Sequence, residues 1–431
     1  MKRLSTASAD FEAAFVALLN EARETTARVD AAVAALIADV RARGDAAVIE
    51  ATGKFDRLTL TPETIRVTEA EIEEAVSAVS PALIAALDLA ATRIEAFHRL
   101  QMPSDIVTTD AAGVRLGMRW TPLDAVGLYV PGGRAAYPSS VLMNAMPAQV
   151  AGVARIAMCV PCPDGVLNPL VLTAARRAGV SEIYRVGGAQ AVAALAFGTA
   201  SIRAVDRVVG PGNAYVAEAK RQVFGHVGID SIAGPSEVVV LADGMQNPRL
   251  VAIDLLAQAE HDEAAQAILI TDDAAFAEQV ERAVEAELET LPRRAIAGES
   301  WRAHGAIIVV ADWQEGTRLV DRLAPEHLEI MTADPDALFA EIRHAGAAFL
   351  GAHCPEAIGD YVAGPNHVLP TGRTARFASG LSVYDFLKRT TWVGADAASL
   401  ARIGPAAVAL AEAEGLGAHA RSVALRLDAD A

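Results

Sequence analysis

A chain of 431 residues is longer than one ordinary hydrophobic core needs, so we expect two or three α/β domains. The hydrophobic fraction of 52% and the charged fraction of 21% are typical of a globular protein and exclude a disordered one. The net charge of −17 argues against nucleic acid as a partner, because phosphates require a basic surface.

The N-terminal sequence has no apolar run before Asp10 and Glu12, so we expect no signal peptide. No window reaches about 18 consecutive apolar residues without a charge, which argues against a membrane-spanning helix. Three cysteines in a chain of this length favour a reducing compartment over a disulfide framework. Together these features predict a cytoplasmic protein.

The first hundred residues have a helical pattern. Val33, Leu36, Ile37 and Val40 recur at helical spacing, and Gly44 follows as a stop signal. This spacing predicts an amphipathic helix that ends near Gly44.

Two more helix starts and a hairpin follow. Thr68 and Glu71 have the spacing of a capping box, and Ser80 followed by Pro81 opens another helix. Short β-prone runs at 107–109 and 114–120 flank a turn that contains glycine, and they predict a hairpin.

From about residue 125, short apolar runs alternate with helical stretches. Such alternation is typical of parallel sheets with helices on both faces. Nine runs suit two Rossmann-like sheets, related by duplication, better than one. The predicted strands are 125–130, 155–160, 182–186, 207–209, 238–241, 267–270, 306–310, 328–331 and 347–350.

Glycine-rich turns are the candidates for nucleotide contact. The dinucleotide fingerprint G-x-G-x-x-G is absent, and its nearest substitutes lie at 131–133, 187–188 and 210–213. The last, Gly-Pro-Gly-Asn, follows a predicted strand and opens a helix, a geometry that offers N–H groups to a phosphate or ribose. An ordinary tight turn between strand and helix is the alternative.

Cys159 and Cys162 have C-x-x-C spacing, but only Cys354 remains elsewhere to complete a metal site. The pair ends a strand and does not open a helix, as a redox motif would. We interpret these cysteines as incidental.

Metal-ligating residue types are scattered through the C-terminal half. Gln258 and His261 share a helix face, although a lone histidine at a helix C-terminus more often complements the dipole. Two histidines and an aspartate would make an ordinary zinc site, whereas residue type alone does not suggest Gln258 as a ligand. The further candidates are Glu326, His327, Asp360, Asn366, His367, Glu414 and His419.

Glu326 and His327 stand immediately before a predicted strand. An adjacent glutamate and histidine can supply two proton-transfer groups of different pKa to one site. A solvated turn is the alternative. The H-E-x-x-H motif is absent, which disfavours a zinc protease of that class.

In combination, these segments resemble the histidinol dehydrogenase family over essentially the whole chain. The resemblance is specific because seven motifs of five to nine residues, and two of three residues, occur in the same order along the chain. They lie at 43–45 with 54–56, 129–133, 186–190, 210–215, 229–237, 256–262, 325–329 and 364–370.

The resemblance implies a role for particular residues, and the sequence matches the family pattern at each of them. Zinc would be held by Gln258, His261, Asp360 and His419. The substrate would contact these four residues together with Ser236, His327, His367 and Glu414. NAD would contact Tyr129, Gln190 and Asn213.

The implied reaction is the four-electron oxidation of L-histidinol to L-histidine through an enclosed aldehyde with two NAD⁺, the last step of histidine biosynthesis. His327 would be the general base, Glu326 would activate water, and zinc would position the substrate. The family also implies a homodimer whose exchanged C-terminal tails bring Glu414 and His419 into the partner's site.

The family's interleaved domains imply a helical N-terminal segment at 1–26 and a first Rossmann-like domain at 27–128 with 237–380. A second Rossmann-like domain would occupy 129–236, and a small tail domain 381–431. Three alternatives remain: a related dehydrogenase for another amino or sulfonated alcohol, a two-lobed solute-binding protein, and a metal-dependent hydrolase without a nucleotide.

Overall fold

Two parallel β-sheets organise the computed structural model, which describes residues 1–21, 29–132, 137–232 and 234–428. The first has five strands and is called the five-stranded sheet. Its strands are β4 (Ala125–Tyr129), β5 (Arg155–Cys159), β6 (Glu182–Tyr184), β7 (Arg207–Val209) and β8 (Gly228–Ile229). They lie in the order β6-β5-β4-β7-β8, which is the Rossmann order 3-2-1-4-5 when counted along the chain.

Helices cover both faces of this sheet, so its strands are mostly apolar and buried, although charged residues begin β5 (Arg155), β6 (Glu182) and β7 (Arg207). All five residues of β4 are buried, in agreement with the apolar strand predicted at 125–130. The connecting helices are α6 (Pro138–Ala151), α7 (Pro169–Arg177), α8 (Gly188–Phe197) and α9 (Ala214–Val223).

The second sheet has six strands and is called the six-stranded sheet. Its strands are β1 (Lys2–Ser5), β9 (Glu237–Ala242), β10 (Gln266–Thr271), β11 (Ala306–Val309), β12 (His327–Met331) and β13 (Ala347–Leu350). The order is β1-β11-β10-β9-β12-β13, so without β1 it repeats the order 3-2-1-4-5. The shared order agrees with the predicted duplication, and the prediction of two Rossmann-like sheets is confirmed.

Six helices accompany the six-stranded sheet. The first, α10 (Pro248–Ala259), carries the candidate ligand Gln258 in its last turn, and His261 lies two residues beyond its end. Pro248 opens α10, and Asn247 caps it by accepting a hydrogen bond from the N–H of Arg249 at 3.0 Å. The six are α10 (Pro248–Ala259), α11 (Ala274–Leu288), α12 (Arg294–His304), α13 (Trp313–Leu323), α14 (Pro335–Glu341) and α15 (Glu356–Tyr361).

The N-terminal segment predicted as helical contains a strand as well as the helix α1 (Phe11–Leu19). Strand β1 pairs with β11 along its whole length. It was not predicted because two of its four residues, Lys2 and Arg3, are charged and give no apolar run. Residues 22–26 of the predicted segment lie outside the described residues.

Four helices precede the five-stranded sheet: α2 (Asp30–Arg43), α3 (Asp45–Asp56), α4 (Glu69–Ala78) and α5 (Pro81–Arg99). The capping box at the start of α4 and the Ser80 cap of α5 are confirmed. Val33 and Val40 pack into the same core as Leu195 of α8. These helices therefore pack on the side of the five-stranded sheet. The predicted domains instead grouped residues 27–128 with 237–380, which contain the six-stranded sheet. The domain boundaries stay a prediction.

A third, antiparallel sheet joins the middle of the chain to its tail. The predicted hairpin is confirmed as β2 (Ile106–Thr109) and β3 (Arg115–Pro122), and β14 (Leu387–Gly394) pairs with β3 over eight residues. Two tail helices follow and pack on each other, α16 (Ala397–Ala413) and α17 (Gly417–Leu427).

Within the described ranges, no individual helix has the length and apolar composition needed to cross a membrane. Only α4 and α5 taken together reach that composition, and a bend of 110° separates them.

A buried ion pair fixes the turn after β7. Gly210 has φ +114°, and its N–H donates to Asp230 Oδ2 at 2.8 Å while its carbonyl accepts from Lys220 Nζ at 3.0 Å. Lys220 and Asp230 pair with each other, and their side chains are only 2% and 4% exposed. A Cβ at Gly210 would lie 2.0 Å from the carbonyl oxygen of Tyr129 at the end of β4. The turn therefore requires glycine on two grounds, backbone conformation and close approach.

Gly210→Ala tests this packing against a matched control. Gly225 also has a positive φ, +97°, but a Cβ there would meet nothing within 4 Å. We expect Gly225→Ala to lower the free energy of unfolding by about 1 kcal/mol and Gly210→Ala by about 3 kcal/mol or more, because the second adds a clash to the backbone strain. Urea unfolding measures both, and equal losses would contradict the proposed contact with Tyr129.

Candidate active site

A cavity of about 470 Å³ lies where the carboxyl ends of β4 and β7 meet the amino ends of β9 and β12. The residues after β4 and β7 supply one wall, including Pro131 and Asn213. The opposite wall holds the candidate residues named by the sequence: Ser236, Gln258, His261, Glu326, His327, Asp360 and His367. The fold thus gathers side chains from loops that are far apart in the sequence.

His327 is the first residue of β12 and is buried. Its Nδ1 lies 3.2 Å from the carbonyl oxygen of Glu237 and 3.1 Å from the side-chain amide of Gln258. Burial lowers the pKa of His327 to about 3, so the imidazole is neutral near neutral pH. A neutral imidazole is the form that can accept a proton.

Glu326 lies beside His327 and is also buried. Its Oε2 accepts a hydrogen bond from the N–H of Glu237 at 3.1 Å and lies 3.9 Å from Nδ1 of His327. The pairing of β12 with β9 holds both residues against the start of β9. The two proton-transfer groups predicted from the sequence are therefore neighbours on one wall of the cavity.

Three side chains form a cluster that could hold a metal ion: His261, Glu356 and Asp360. One potential ligand atom from each lies within 4.8 Å of the others. The Gln258 amide lies 3.3 Å from Glu356 Oε1 when its nitrogen is the donor. Imidazole, carboxylate and amide groups form a donor set that suits zinc, so these residues fit the implied ion.

Glu356 is the functional candidate that sequence reasoning missed. It is buried, Oε1 lies 3.4 Å from Nδ1 of His327, and burial raises the pKa of its carboxyl well above the usual range. Glu356 and Asp360 are four residues apart on α15 and share a helix face. The spacing of Glu356 and Asp360 was the available sequence signal. It was missed because α15 has only six residues and no helix was predicted in this segment.

His367 closes the cavity on the side of Asp360. Its Nδ1 lies 3.0 Å from the carbonyl oxygen of Asp360 and 3.7 Å from Oδ1 of the same residue. Burial lowers the pKa of His367 to about 4 and raises that of Asp360 to about 6. The contact with the Asp360 carbonyl oxygen therefore orients His367 beside a member of the cluster.

Glu414 and His419 lie elsewhere. Glu414 follows α16, His419 is in α17, and both are exposed on the tail. Neither is among the described residues that line the cavity. Within a single chain, the structure does not bring them to the other candidate ligands.

A second cavity, of about 930 Å³, lies at the carboxyl ends of the strands of the five-stranded sheet and is called the nucleotide cavity. Tyr129, Gln190 and Asn213 all line it, and Asn213 also lines the first cavity. The Tyr129 hydroxyl accepts a hydrogen bond from the N–H of Gly188 at 3.1 Å, and Asn213 caps α9. Gly133, the last residue of the turn at 131–133, lies outside the described residues.

Cys159 and Cys162 lie beneath this cavity as free, buried thiols. Burial raises the pKa of both thiols, that of Cys162 to about 12. The thiolate forms needed for redox or metal chemistry are disfavoured, which agrees with their interpretation as incidental.

A pair of acidic side chains, Asp254 of α10 and Glu329 of β12, lies next to Glu356 of the cluster that could hold a metal ion. A hydrogen bond joins them, and Glu329 Oε1 accepts from the N–H of Glu356 at 2.6 Å. Burial, followed by the charge of Asp254, raises the pKa of Glu329 to about 8, and burial raises that of Asp254 to about 6. The pair therefore retains a proton near neutral pH and supports the start of α15.

The chain is similar to known proteins over nearly its whole length. Residues 19–427 match the family model described as histidinol dehydrogenase. A histidinol dehydrogenase from Gluconobacter oxydans is 67% identical over 99% of this chain and 100% of the relative, and one from Rhodospirillum rubrum is 64% identical over 99% and 98%. The crystal structure of histidinol dehydrogenase from Elizabethkingia anophelis superposes with a TM-score of 0.95 at 37% identity, covering 99% and 98% of the two chains.

The Asp254–Glu329 pair predicts how stability changes with pH. A carboxyl whose pKa is raised on folding binds its proton more tightly in the native state, so its contribution to stability is full below the unfolded pKa and is lost as pH rises through about 8. We expect this pair by itself to lower the free energy of unfolding by roughly 2–4 kcal/mol between about pH 5 and about pH 8, against the opposite contribution of His327 and His367, whose lowered pKa values favour folding as pH rises. Between these pH values, the change in the free energy of unfolding should therefore be less negative, or more positive, in Glu329→Gln than in the unaltered protein. Urea unfolding at several pH values measures it. Glu285→Gln, on the exposed side of α11, is the control, and an unchanged slope in Glu329→Gln would contradict the assignment.

Proposed function

The chain belongs to the histidinol dehydrogenase family, and from that premise we propose that it oxidises L-histidinol to L-histidine through histidinal, using zinc and two NAD⁺. This is the last step of histidine biosynthesis. The observation that carries the proposal is one cavity in which Glu326 and His327 lie beside the cluster of His261, Glu356 and Asp360. The same cavity shares Asn213 with the nucleotide cavity, which supports transfer between a substrate and a nucleotide.

We infer that Gln258, His261 and Asp360 hold zinc together with His419 from a second copy of the chain. Bound zinc would position the imidazole and amine of the substrate. Ser236, His367 and a second copy's Glu414 would contact the same substrate. Glu356, within 3.3 Å of the Gln258 amide, would keep that amide oriented toward the ion.

His327 would accept the hydroxyl proton while the carbinol carbon loses hydride. Its burial keeps the imidazole neutral, and the imidazolium that forms would be stabilised by the carbonyl oxygen of Glu237 at 3.2 Å and by the side chain of Glu326 at 3.9 Å. NAD⁺ near Tyr129, Gln190 and Asn213 would supply the hydride acceptor. This step removes two electrons and gives the enclosed aldehyde.

The second oxidation requires water to add to the aldehyde. We propose that Glu326 takes a proton from that water as the water oxygen bonds to the aldehyde carbon. His327 would return the proton that it accepted in the first oxidation to the aldehyde oxygen, which completes the hydrate. His327, neutral again, would then accept a hydroxyl proton of the hydrate as hydride passes to a second NAD⁺. The product is the carboxylic acid of L-histidine, which loses its proton to water. Glu326 and His327 lie close enough to serve one substrate in turn without its release.

A homodimer with exchanged tails would complete the site. Glu414 and His419 are exposed and lie away from the cavity of their own chain. Large apolar side chains on the same tail are also exposed, including Val393 at 70% and Leu410 at 66%. A tail that crosses to a second copy would cover such side chains and deliver the missing ligand.

Glu326→Gln tests the division of roles. We expect the variant to retain the first oxidation within about tenfold and to lose about 10² to 10⁴ in the rate of histidinal oxidation, because an amide cannot take the proton from water. NADH formation is measured from L-histidinol and from L-histidinal with zinc-loaded protein. Glu278→Gln, on the exposed side of α11, controls for loss of a charge.

Two results would count against these assignments. Equal loss of both steps in Glu326→Gln would contradict the separate role of Glu326. No NADH from the unaltered protein with zinc, L-histidinol and NAD⁺ would contradict the proposed reaction itself.

Mixing two inactive variants tests the tail exchange. His327→Asn would inactivate the site in the subunit that carries it. His419→Gln would inactivate the site in the other subunit of the dimer. If the tails cross, each mixed dimer has one intact site, so subunits exchanged at equal amounts should regain about a quarter of the unaltered activity. Recovery no greater than the sum of the separate variants would contradict the exchange.

A further inference from the structure

The five-stranded sheet lacks an acidic residue where dinucleotide-binding sheets usually have one. In the Rossmann order, an aspartate or glutamate after the second strand hydrogen-bonds the 2′-hydroxyl of the adenosine ribose. The second strand here is β5, which ends at Cys159, and residues 160–163 are Val-Pro-Cys-Pro. The first acid after the strand, Asp164, is bound by Arg57 and is not among the described residues that line the nucleotide cavity. A ribose at this position would therefore need an acid from another element.

Asp56 supplies a carboxylate at that place from outside the sheet. It is the last residue of α3 and is 8% exposed. Its Oδ2 accepts a hydrogen bond from the N–H of Cys162 at 3.3 Å, directly after β5. It also lines the nucleotide cavity together with Pro161 and Pro163.

A neighbouring ion pair holds this carboxylate in place. Arg57 ends α3 in the left-handed conformation, φ 55°, and donates to both carboxylate oxygens of Asp164 at 2.7 and 2.5 Å. Asp164 belongs to the turn Pro163–Gly165 that follows β5. The end of α3 is therefore attached to the β5 turn at two points, through Asp56 and through Arg57.

The two cavities define the direction in which a dinucleotide would lie. The nucleotide cavity meets the substrate cavity at Asn213, after β7, so the nicotinamide must lie toward that end. The adenosine would then lie toward β5, where Asp56 is. Two other charged residues line the cavity: Asp39 is engaged by Arg43 through two bonds of 2.7 and 2.5 Å, and Lys54 lies with its ammonium 5.2 Å from the centre of the Phe55 ring.

We propose that Asp56 binds the 2′-hydroxyl of the adenosine ribose and is the residue that selects NAD⁺ over NADP⁺. The inference rests on the proposed use of NAD⁺. A ribose hydroxyl can donate to the carboxylate, whereas the 2′-phosphate of NADP⁺ would bring a second negative charge against a largely buried one. Asp56 thus replaces the acid that β5 lacks.

The test measures kcat/KM of the zinc-loaded protein with L-histidinol and three cofactors: NAD⁺, NADP⁺ and an NAD⁺ analogue with 2′-deoxyadenosine. We expect the unaltered protein to prefer NAD⁺ over NADP⁺ by about 10³ or more and to lose about tenfold or more with the deoxy analogue. Asp56→Asn should lower the preference for NAD⁺ over NADP⁺ by about 10- to 100-fold. The ratio of kcat/KM for NAD⁺ to kcat/KM for the deoxy analogue should also fall toward one in Asp56→Asn, because the carboxylate that binds the 2′-hydroxyl is gone.

Glu50→Gln removes a charge from the exposed side of the same helix and should leave the cofactor preference unchanged. A preference for NAD⁺ that Asp56→Asn does not alter would overturn the proposal. If that variant does not fold, the deoxy analogue decides with the unaltered protein, and equal use of NAD⁺ and the analogue would overturn it. These results differ from failure of the proposed function, in which no cofactor yields reduced nucleotide.

Discussion

The parallel pairing of β9 with β12 is the constraint on which the site depends. It places His327 in register with Val238 and so brings Glu326 and His327 against the start of β9. The backbone of Glu237 then contacts both residues, through its N–H to Glu326 and its carbonyl oxygen near His327. Because these contacts are made by the main chain, they do not depend on the flexibility of a loop.

The same constraint makes the surroundings of His327 electrostatically costly. Strand β12 carries His327 and Glu329 into the interior on the side of α10, where Gln258 and Asp254 also lie. Removal of these groups from water disfavours their charged forms, which lowers the pKa of the histidine and raises the pKa values of the acids. A bound divalent cation would offset this cost, so a metal is the natural partner for a cluster that is rich in buried carboxyl groups.

Much of the fold could be predicted from local patterns. Apolar runs such as 125–130 and 238–241 identified buried parallel strands, and Thr68 with Glu71 identified a helix start, because each signal is contained within a few neighbouring residues. Strand β1 could not be predicted in this way, since its place at the edge of the six-stranded sheet depends on pairing with β11, where Lys2 pairs with Ala306, 304 residues away along the chain. Strand order likewise followed only from the structure.

Fewer of the site residues could be recognised from local sequence patterns. Residue types suggested His261, Asp360 and the pair Glu326–His327, and the family resemblance added Gln258, which residue type alone did not suggest. Glu356 and the Asp254–Glu329 pair were missed because a glutamate or aspartate in a sequence is normally solvated. Only the packing of α10, β12 and α15 shows that Glu329 and Glu356 are buried and that Asp254 is half-buried.

The central claim is that one enclosed site carries out both oxidations, and the most direct test is the stoichiometry of the complete reaction. Zinc-loaded protein would be given a limiting amount of L-histidinol with excess NAD⁺, and NADH, histidinal and L-histidine would be quantified at completion. The account predicts two NADH and one L-histidine for each L-histidinol, with no free aldehyde released. One NADH for each L-histidinol, with histidinal accumulating in solution, would contradict it.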